Sequence, residues 1–301
     1  MIVDFRGIYV PMVTSFTSGS GIYERGVENV VQYLYDSGIN GIWLLGSYGS
    51  FPLLSEEERR QVAKVAVDRA KKLGMNVIVN VGALYTDMAV RLARHAQEVG
   101  AHAVASVVPF YYSTSHYSKR NFLHYFQAIV DSVTLPVFFY NNEKATGFKP
   151  DLQFLQQILE IGIQGFKSKG DYHEMFEQIG LIKNSSTSKV YLSGSTGVHL
   201  QGHLLGADGV TSGVALAVPR LVLKLQKALE DHAISEAIRL QNLVLKVRAI
   251  LGRYVGRAVG CYDIMQEKGI DVGTCRSPWL RMKPGQADEV IRELKAIEEA
   301  V

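Results

Sequence analysis

The sequence alternates between short apolar runs and longer stretches with helical periodicity, and this alternation limits the folds that the chain can adopt. Each unit spans roughly 25 to 35 residues, as expected of a strand, a loop rich in Gly, Ser, Pro or Asn, and a helix. We predict eight strands, over residues 8–14, 41–46, 76–82, 103–108, 136–140, 164–168, 190–193 and 209–212. Because these runs are apolar throughout and alternate with helices, we expect a parallel sheet that is covered on both faces.

Eight such units predict an α/β fold of the (β/α)8 TIM barrel class. A doubly wound open sheet is the alternative, but no G-x-G-x-x-G or Walker loop follows any of the strands. After Pro219 the pattern becomes helical only, over residues 221–231, 234–251, 254–268 and 286–300. We therefore expect a barrel over residues 1–232 that carries the active site, and a C-terminal three-helix extension over residues 233–301 that packs on it.

Capping residues mark where several of the helices begin. Ser55 followed by Glu58 matches a capping box, in which each side chain bonds the backbone N–H of the other residue. Ser118 opens the helix before the fifth strand, and Asp171 is positioned to cap the helix after the sixth. These signals agree with the strand positions and strengthen the prediction of alternating units.

Composition excludes several classes of function. The 301 residues are 47% hydrophobic and carry a net charge of +3, from 32 basic and 29 acidic residues, with no basic block. We therefore expect no nucleic-acid or membrane partner. Cys261 and Cys275 have neither CxxC nor metal-ligand spacing, so a reducing compartment is expected, although a disulfide stays possible. Without a signal-peptide pattern or a run of transmembrane length, the chain is expected to be cytoplasmic.

The sixth predicted strand ends in the run GFKSKGD, over residues 165–171. Side chains alternate along a strand, so Lys167 and Lys169 point to one side and Phe166 and Ser168 to the other. Burial and a second ammonium group both lower the pKa of a lysine, and a neutral amine is a nucleophile that forms Schiff bases with carbonyl compounds. The alternative is that both lysines are solvated at the strand exit.

Polar side chains follow the other strands at the end where barrel active sites lie. The set supplies hydroxyls, phenols and glycines around the lysine, in the runs GSYGS at 46–50, PFYY at 109–112, YN at 140–141, SGS at 193–195 and TSG at 211–213. It contains neither a carboxylate pair for glycoside hydrolysis nor a His, Cys and Asp cluster for a metal. An amine, a proton shuttle and donors for a carboxylate suit Schiff-base chemistry on a 2-oxo acid, which needs no metal and no diffusible cofactor.

From about Gly7 to Pro284 the chain resembles the pyruvate-dependent class I aldolases and lyases typified by dihydrodipicolinate synthase and N-acetylneuraminate lyase. The matching motifs are GSYGS at 46–50 with LSEEER at 54–59, PFY at 109–111, YN at 140–141 with TG at 146–147, and GFK at 165–167. Each motif alone is a weak signal, but together they occur in the family's order, each at the end of a predicted strand. The resemblance implies a lyase that joins pyruvate to an aldehyde or cleaves the product.

The resemblance also implies roles for individual residues. Lys167 is expected to form the Schiff base, and Tyr140 to move protons to and from the substrate oxygens. Ser47 and the backbone of Tyr48 are expected to bind the carboxylate of pyruvate. Tyr111 matches the tyrosine that completes a hydroxyl relay in a neighbouring subunit, so the resemblance implies a homo-oligomer, a tetramer built as a dimer of dimers. As structural alternatives, Tyr140 would be a core aromatic and Tyr111 part of an interface.

Departures from the family pattern bear on the substrate. Lys144 and Ala145 precede Thr146, where dihydrodipicolinate synthases carry an arginine for the aldehyde carboxylate, and this ending is similar to 2-keto-3-deoxygluconate aldolases. Gly194 is followed by Ser195 rather than by the acidic residues of N-acetylneuraminate lyases, so sialic acid is not expected. We expect a 2-keto-3-deoxy sugar acid, with dihydrodipicolinate synthase activity as the alternative. The non-enzymatic alternative is a homologue that binds a 2-oxo acid without turnover.

Three further positions belong to the expected pocket. Thr211 lines the pyruvate pocket by position, and Tyr48 replaces a relay hydroxyl that is usually a threonine, although a phenol can also relay a proton. Lys169 replaces a small hydroxyl residue. By hypothesis, Lys169 either lowers the pKa of Lys167 or pairs with an anionic group on the aldehyde half of the substrate.

Overall fold

A computed structural model describes residues 4–39, 41–112, 116–168, 170–185 and 189–301. Eight parallel strands form a closed barrel in sequence order, and the last strand pairs with the first. The strands are β1 (Gly7–Pro11), β2 (Gly41–Leu44), β3 (Asn76–Asn80), β4 (Ala103–Ser106), β5 (Val137–Tyr140), β6 (Gly165–Ser168), β7 (Val190–Ser193) and β8 (Gly209–Thr211). The predicted (β/α)8 barrel is therefore confirmed, and the open-sheet alternative is excluded.

Helices follow the strands and surround the barrel. Those of the barrel are α1 (Glu24–Asp36), α2 (Glu56–Lys72), α3 (Thr86–Val99), α4 (Lys119–Ser132), α5 (Glu143–Thr146), α6 (Leu152–Glu160), α7 (Tyr172–Lys183), α8 (His199–Leu204) and α9 (Pro219–Glu230). Three more helices follow, α10 (Ile234–Leu251), α11 (Arg257–Glu267) and α12 (Pro284–Glu299). Short 3-10 turns lie after β2, β7 and β8, at Phe51–Leu53, Thr196–Val198 and Gly213–Leu216.

The predicted helix starts have the hydrogen bonds that capping requires. The Ser55 hydroxyl accepts from the backbone N–H of Glu58 at 3.2 Å, and the Glu58 carboxylate accepts from the N–H of Ser55 at 2.9 Å. Asp171 caps α7 by accepting from the N–H of Glu174 at 2.9 Å. These bonds satisfy backbone donors that a helix leaves without internal partners.

The C-terminal helices pack on the barrel. Helix α10 lies against α9, α12 and the turn after β7, and α11 lies against the turn after β8. Two hydrogen bonds of the buried Gln241 hold α10 in place: its side chain donates to the carbonyl of Thr196 at 3.0 Å and accepts from the N–H of Leu200 at 3.1 Å. The extension therefore reaches the carboxyl ends of two barrel strands. A domain boundary at residue 232 stays a prediction.

Across the described ranges, no helix combines the length and the apolar character that a membrane span requires.

Candidate active site

A cavity of about 210 Å³ opens at the carboxyl ends of the strands. Its walls come from six strand ends and from the C-terminal extension, through Pro11, Ser47, Tyr48, Tyr140, Asn141, Asn142, Lys167, Gly194, Ser195, Thr211, Gly213, Arg248 and Arg257. Six residues that the sequence assigns to the site, Lys167, Tyr140, Ser47, Tyr48, Gly194 and Thr211, thus meet in one cavity. Such a convergence of polar groups in a small pocket is typical of a site for a small molecule.

Lys167 reaches this cavity from the middle of β6. The lysine is only 3% exposed, so the solvated alternative does not apply to it. Its Nζ lies 3.9 Å from the centre of the Tyr140 ring and 4.1 Å from the centre of the Trp43 ring. The two rings give the long side chain a fixed place, while the neighbouring Phe166 points into the surrounding core and is fully buried. Alternation along β6 therefore separates the amine from the core, as predicted.

Tyr140, at the end of β5, belongs to a small hydroxyl cluster. Its phenol oxygen lies 3.3 Å from the Ser47 hydroxyl, and the Asn142 amide donates to both, at 3.4 Å to the phenol and 3.2 Å to the serine. Burial raises the pKa of Tyr140, and the hydrogen bond with Ser47 partly offsets that effect. The phenol therefore stays protonated near neutral pH and is ready to donate a proton.

The loop after β2 that carries Ser47 and Tyr48 has an unusual backbone conformation. Leu45 and Ser50, at its two ends, have φ angles of 55° and 53°, in the left-handed region that side chains disfavour. Two buried side chains hold the loop, because Asn80 donates to the carbonyl of Leu45 at 2.8 Å and Thr14 donates to the carbonyl of Gly49 at 2.7 Å. The site's hydroxyl cluster thus depends on β3 and on the segment after β1 as well.

Tyr48 crosses the cavity towards the turn after β8. A Cβ atom at Gly213 would lie 2.3 Å from the Tyr48 hydroxyl oxygen, so the phenol packs directly on the backbone of that glycine. Burial raises the pKa of Tyr48, and the charges of Arg248 and Arg257 oppose this effect in part. The hydroxyl group that contacts the Tyr140 phenol is that of Ser47, at 3.3 Å.

Gly194 and Thr211 close the opposite side of the cavity. The backbone N–H of Gly194 donates to the carbonyl of Ser168 at 2.7 Å, which continues the pairing of β6 and β7 past the strand ends. The hydroxyl of Thr211 donates to the carbonyl of Ser193 at 3.2 Å. Both residues line the cavity and bring no charged group to it.

The sequence profile of the dihydrodipicolinate synthetase family matches residues 4–297. The chain belongs to this family. Its named relatives are lyases, and so this chain is a lyase of the pyruvate-dependent, aldolase-like kind. Enzymes of this family use a lysine Schiff base. Over the described residues, no three His, Cys, Asp or Glu side chains are grouped as metal ligands.

Two curated relatives and one solved structure illustrate the similarity. The probable 2-dehydro-3-deoxy-D-pentonate aldolase YjhH of Escherichia coli K12 is 28% identical over 290 residues, which cover 95% of each chain. The N-acetylneuraminate lyase of Clostridium perfringens SM101 is 26% identical over 295 residues, covering 97% of this chain and 98% of the lyase. The structure of YagE, a dihydrodipicolinic acid synthase family protein of Escherichia coli K12 in complex with pyruvate, is 25% identical with a TM-score of 0.91, covering 98% of this chain and 99% of YagE.

One predicted site residue, Tyr111, lies away from the cavity. Tyr111 is 78% exposed and does not line the cavity of its own chain; its ring lies against Tyr112 with the centroids 5.2 Å apart. Lys169 lies outside the described residues. The relay role of Tyr111 and both hypotheses for Lys169 therefore stay predictions.

Sequence reasoning missed four residues of this dihydrodipicolinate synthetase family site. Trp43 and Asn142 follow from strand parity and from the position next to Asn141, so a closer reading of the strand ends would have found them. Arg248 and Arg257 lie on helices of the C-terminal extension, far along the chain from the motifs. No local pattern marks them, because only the packing of α10 and α11 on the barrel brings them to the cavity.

Proposed function

We propose that the protein is a class I aldolase that makes or cleaves the bond between pyruvate and an aldehyde, with a 2-keto-3-deoxy sugar acid as the joined compound. The observation that carries the proposal is the position of the Lys167 amine beside Tyr140 in a polar cavity, with Nζ 3.9 Å from the ring centre. A nucleophilic amine and a proton-carrying phenol are the two groups that this reaction requires.

In the proposed reaction the Lys167 amine adds to the C2 carbonyl of pyruvate, and loss of water gives an iminium ion. Loss of a proton from C3 then gives an enamine, in which the iminium nitrogen has accepted the electron pair. The enamine carbon attacks the aldehyde carbon, forming the C3–C4 bond, and the aldehyde oxygen takes up a proton. Hydrolysis consumes one water and returns the free amine. Cleavage follows the same steps in reverse.

Tyr140 is the proposed proton carrier. Its raised pKa keeps the phenol protonated, so it donates its proton to the aldehyde oxygen in synthesis. In cleavage the phenol first passes its own proton to Ser47 and then accepts the proton of the C4 hydroxyl. The Ser47 hydroxyl at 3.3 Å connects the phenol to the loop after β2. A relay through Ser47 lets the proton move without bulk water at the reacting carbons.

The substrate class is inferred from the cavity wall and from a relative. The lining residues include serine, threonine, asparagine and tyrosine, which suit hydroxyl groups, and no acidic residue follows Gly194. YjhH, similar over the whole chain, is named as an aldolase for a 2-dehydro-3-deoxy-D-pentonate. Dihydrodipicolinate synthase activity is less well supported, because Lys144 and Ala145 precede Thr146 where those synthases carry an arginine for the aldehyde carboxylate.

The proposal predicts that the protein exchanges the methyl protons of pyruvate with solvent deuterium, since the enamine forms without an aldehyde. Lys167→Gln should abolish exchange, and Tyr140→Phe should slow aldol turnover by roughly 10²- to 10⁴-fold. Proton NMR of pyruvate in deuterium oxide measures the first rate, and aldehyde-dependent loss of pyruvate measures the second. Lys64→Gln, which removes an exposed lysine on α2, is the control and should behave as wild type.

A wild-type protein that binds pyruvate without exchange would favour the binding-only homologue. Exchange that persists in Lys167→Gln would show that another group forms the adduct.

A further inference from the structure

The cavity carries more positive charge than pyruvate can neutralise. Lys167, Arg248 and Arg257 line it, and no aspartate or glutamate does. Neither arginine forms an ion pair within the described parts of the chain. The residues outside the described ranges include no acidic residue that could supply one. Pyruvate brings a single carboxylate, so the guanidinium groups have capacity for a second anion.

Arg248 is held at the cavity by the anchoring of α10. Gln241 lies seven residues earlier, two turns of helix, and therefore on the same face. Its bonds to Thr196 and Leu200 fix that face against the turn after β7. The backbone of Gly197 leaves room for the guanidinium, because a Cβ atom there would lie 2.9 Å from the Arg248 Nε.

Arg257 is held by the first turn of α11 and by its neighbour. Its Nε donates to the carbonyl of Arg248 at 3.2 Å, which brings the two side chains to the same side of the cavity. Cys261, one turn later on the same face, is buried, and its thiol lies 4.0 Å from the carbonyl of Gly213. The start of α11 is thus packed on the turn after β8, next to Tyr48.

Arg248 is partly buried, and the exposed Arg257 lies beside it. Burial, and then repulsion from the charge of Arg257, lower the pKa of Arg248. An anion placed between the groups would relieve the repulsion and accept several charge-assisted hydrogen bonds, in the forked geometry that guanidinium offers to carboxylate and phosphate.

We propose that Arg248 and Arg257 bind an anionic group at the far end of the aldehyde-derived half of the substrate. The inference rests on the proposed function and narrows its substrate class to 2-keto-3-deoxy sugar acids that carry a second, terminal anion. That anion is a carboxylate or a phosphate, since both fit the same two guanidinium groups. The C–C bond chemistry at Lys167 is unchanged.

Three aldehydes that differ only at the terminal group test the proposal. Glyceraldehyde is neutral, glyceraldehyde 3-phosphate carries a phosphate, and tartronate semialdehyde carries a carboxylate in place of the terminal CH2OH. With pyruvate saturating, at least one anionic aldehyde should have a kcat/KM ten or more times that of glyceraldehyde. Arg248→Gln and Arg257→Gln should each raise KM for that aldehyde roughly ten- to a hundredfold, with glyceraldehyde little affected. The preferred anionic aldehyde distinguishes phosphate from carboxylate.

Two controls separate a local site from general charge. Lys246→Gln removes an exposed positive charge from α10, two residues from Arg248, and should leave the ratio between anionic and neutral aldehydes unchanged. Arg248→Lys keeps the positive charge but removes the paired N–H donors of the guanidinium group. Its KM for the anionic aldehyde should lie between those of the wild type and Arg248→Gln. If Lys246→Gln, Arg248→Gln and Arg257→Gln all reduce the preference for anionic aldehydes equally, that preference comes from the net charge of the protein. This result would overturn the proposal.

A binding measurement keeps this inference distinct from the proposed function. Glycerol 3-phosphate and glycerate lack the aldehyde, and glycerol is their neutral counterpart. Calorimetry at low ionic strength should show that at least one of the two anions binds the wild type more tightly than glycerol does, and that its affinity falls roughly tenfold or more in Arg248→Gln.

If the anion binds in this way but pyruvate shows no methyl-proton exchange, the anion site stands and the aldolase proposal fails. If exchange occurs but no anion is preferred, the anion proposal fails alone. If Arg248→Gln and Arg257→Gln raise KM for pyruvate, with no dependence on the charge of the aldehyde, the arginines bind the pyruvate carboxylate. That result would also overturn the anion proposal.

Discussion

Tyr48 stands where the family resemblance suggests threonine, and Gly213 provides the space for it. The phenol lies on the Gly213 backbone, so the two residues must be considered together. The Ser47 hydroxyl contacts Tyr140 instead, at 3.3 Å. The sequence places Ser47, Tyr48 and Gly213 near one another, because each follows a barrel strand. It could not show that the Tyr48 phenol packs on Gly213, since that contact depends on how the two loops meet.

Gly213→Ala should lower the free energy of unfolding by about 1–3 kcal/mol, because a methyl group would lie 2.3 Å from the Tyr48 oxygen and force the ring aside. Adding Tyr48→Thr removes the ring and should recover most of this loss. Urea unfolding of the two single variants and the double variant gives the coupling between the sites.

Gly285→Ala is the matched control, since nothing lies within 4 Å of a Cβ atom there. It should leave the unfolding midpoint nearly unchanged. Simple additivity of the Gly213 and Tyr48 effects would contradict the packing argument.

At the scale of the elements, local signals predicted most of the architecture. All eight strands lie within the predicted ranges except at the first residue of β1, and the caps at Ser55 and Asp171 form as expected. Several strands end one to three residues earlier than predicted. The apolar loop residues that follow them are still buried in the core, although they lie beyond the last hydrogen bond between strands. Helices α10 and α11 were also predicted, but their contribution to the cavity was not. Helical periodicity identifies a buried face without identifying what that face packs against.

At the scale of the whole molecule, Tyr111 is exposed in the single chain and is available to contact a second copy. An apolar cavity of about 380 Å³ opens beside Ser47 and Asn142, lined in part by Phe110 and Trp279. An aromatic side chain from a second copy of the chain could enter there and reach the hydroxyl cluster. This arrangement would make the oligomer part of the active site, as the family resemblance predicts.

Tyr111→Phe should lose most of the aldol activity while keeping the wild-type circular dichroism spectrum, because the fold does not depend on an exposed hydroxyl. Mixing this variant with Lys167→Gln, after dissociation and reassembly, tests whether Tyr111 acts in the neighbouring subunit. Half of the randomly reassembled dimers would then hold one complete site, so activity should return to roughly a quarter of the wild-type value. No recovery on mixing, with both variants shown to reassemble, would place Tyr111 in the site of its own chain or outside catalysis.

If Lys167 forms a covalent imine with a 2-oxo acid, borohydride should reduce that imine to a stable adduct. The protein is incubated with pyruvate and borohydride, and the modified peptide is mapped by mass spectrometry, with Lys167→Gln as the control. We expect one adduct, on Lys167, that is absent from the control. An adduct on Lys169, or none at all in folded wild-type protein, would contradict it.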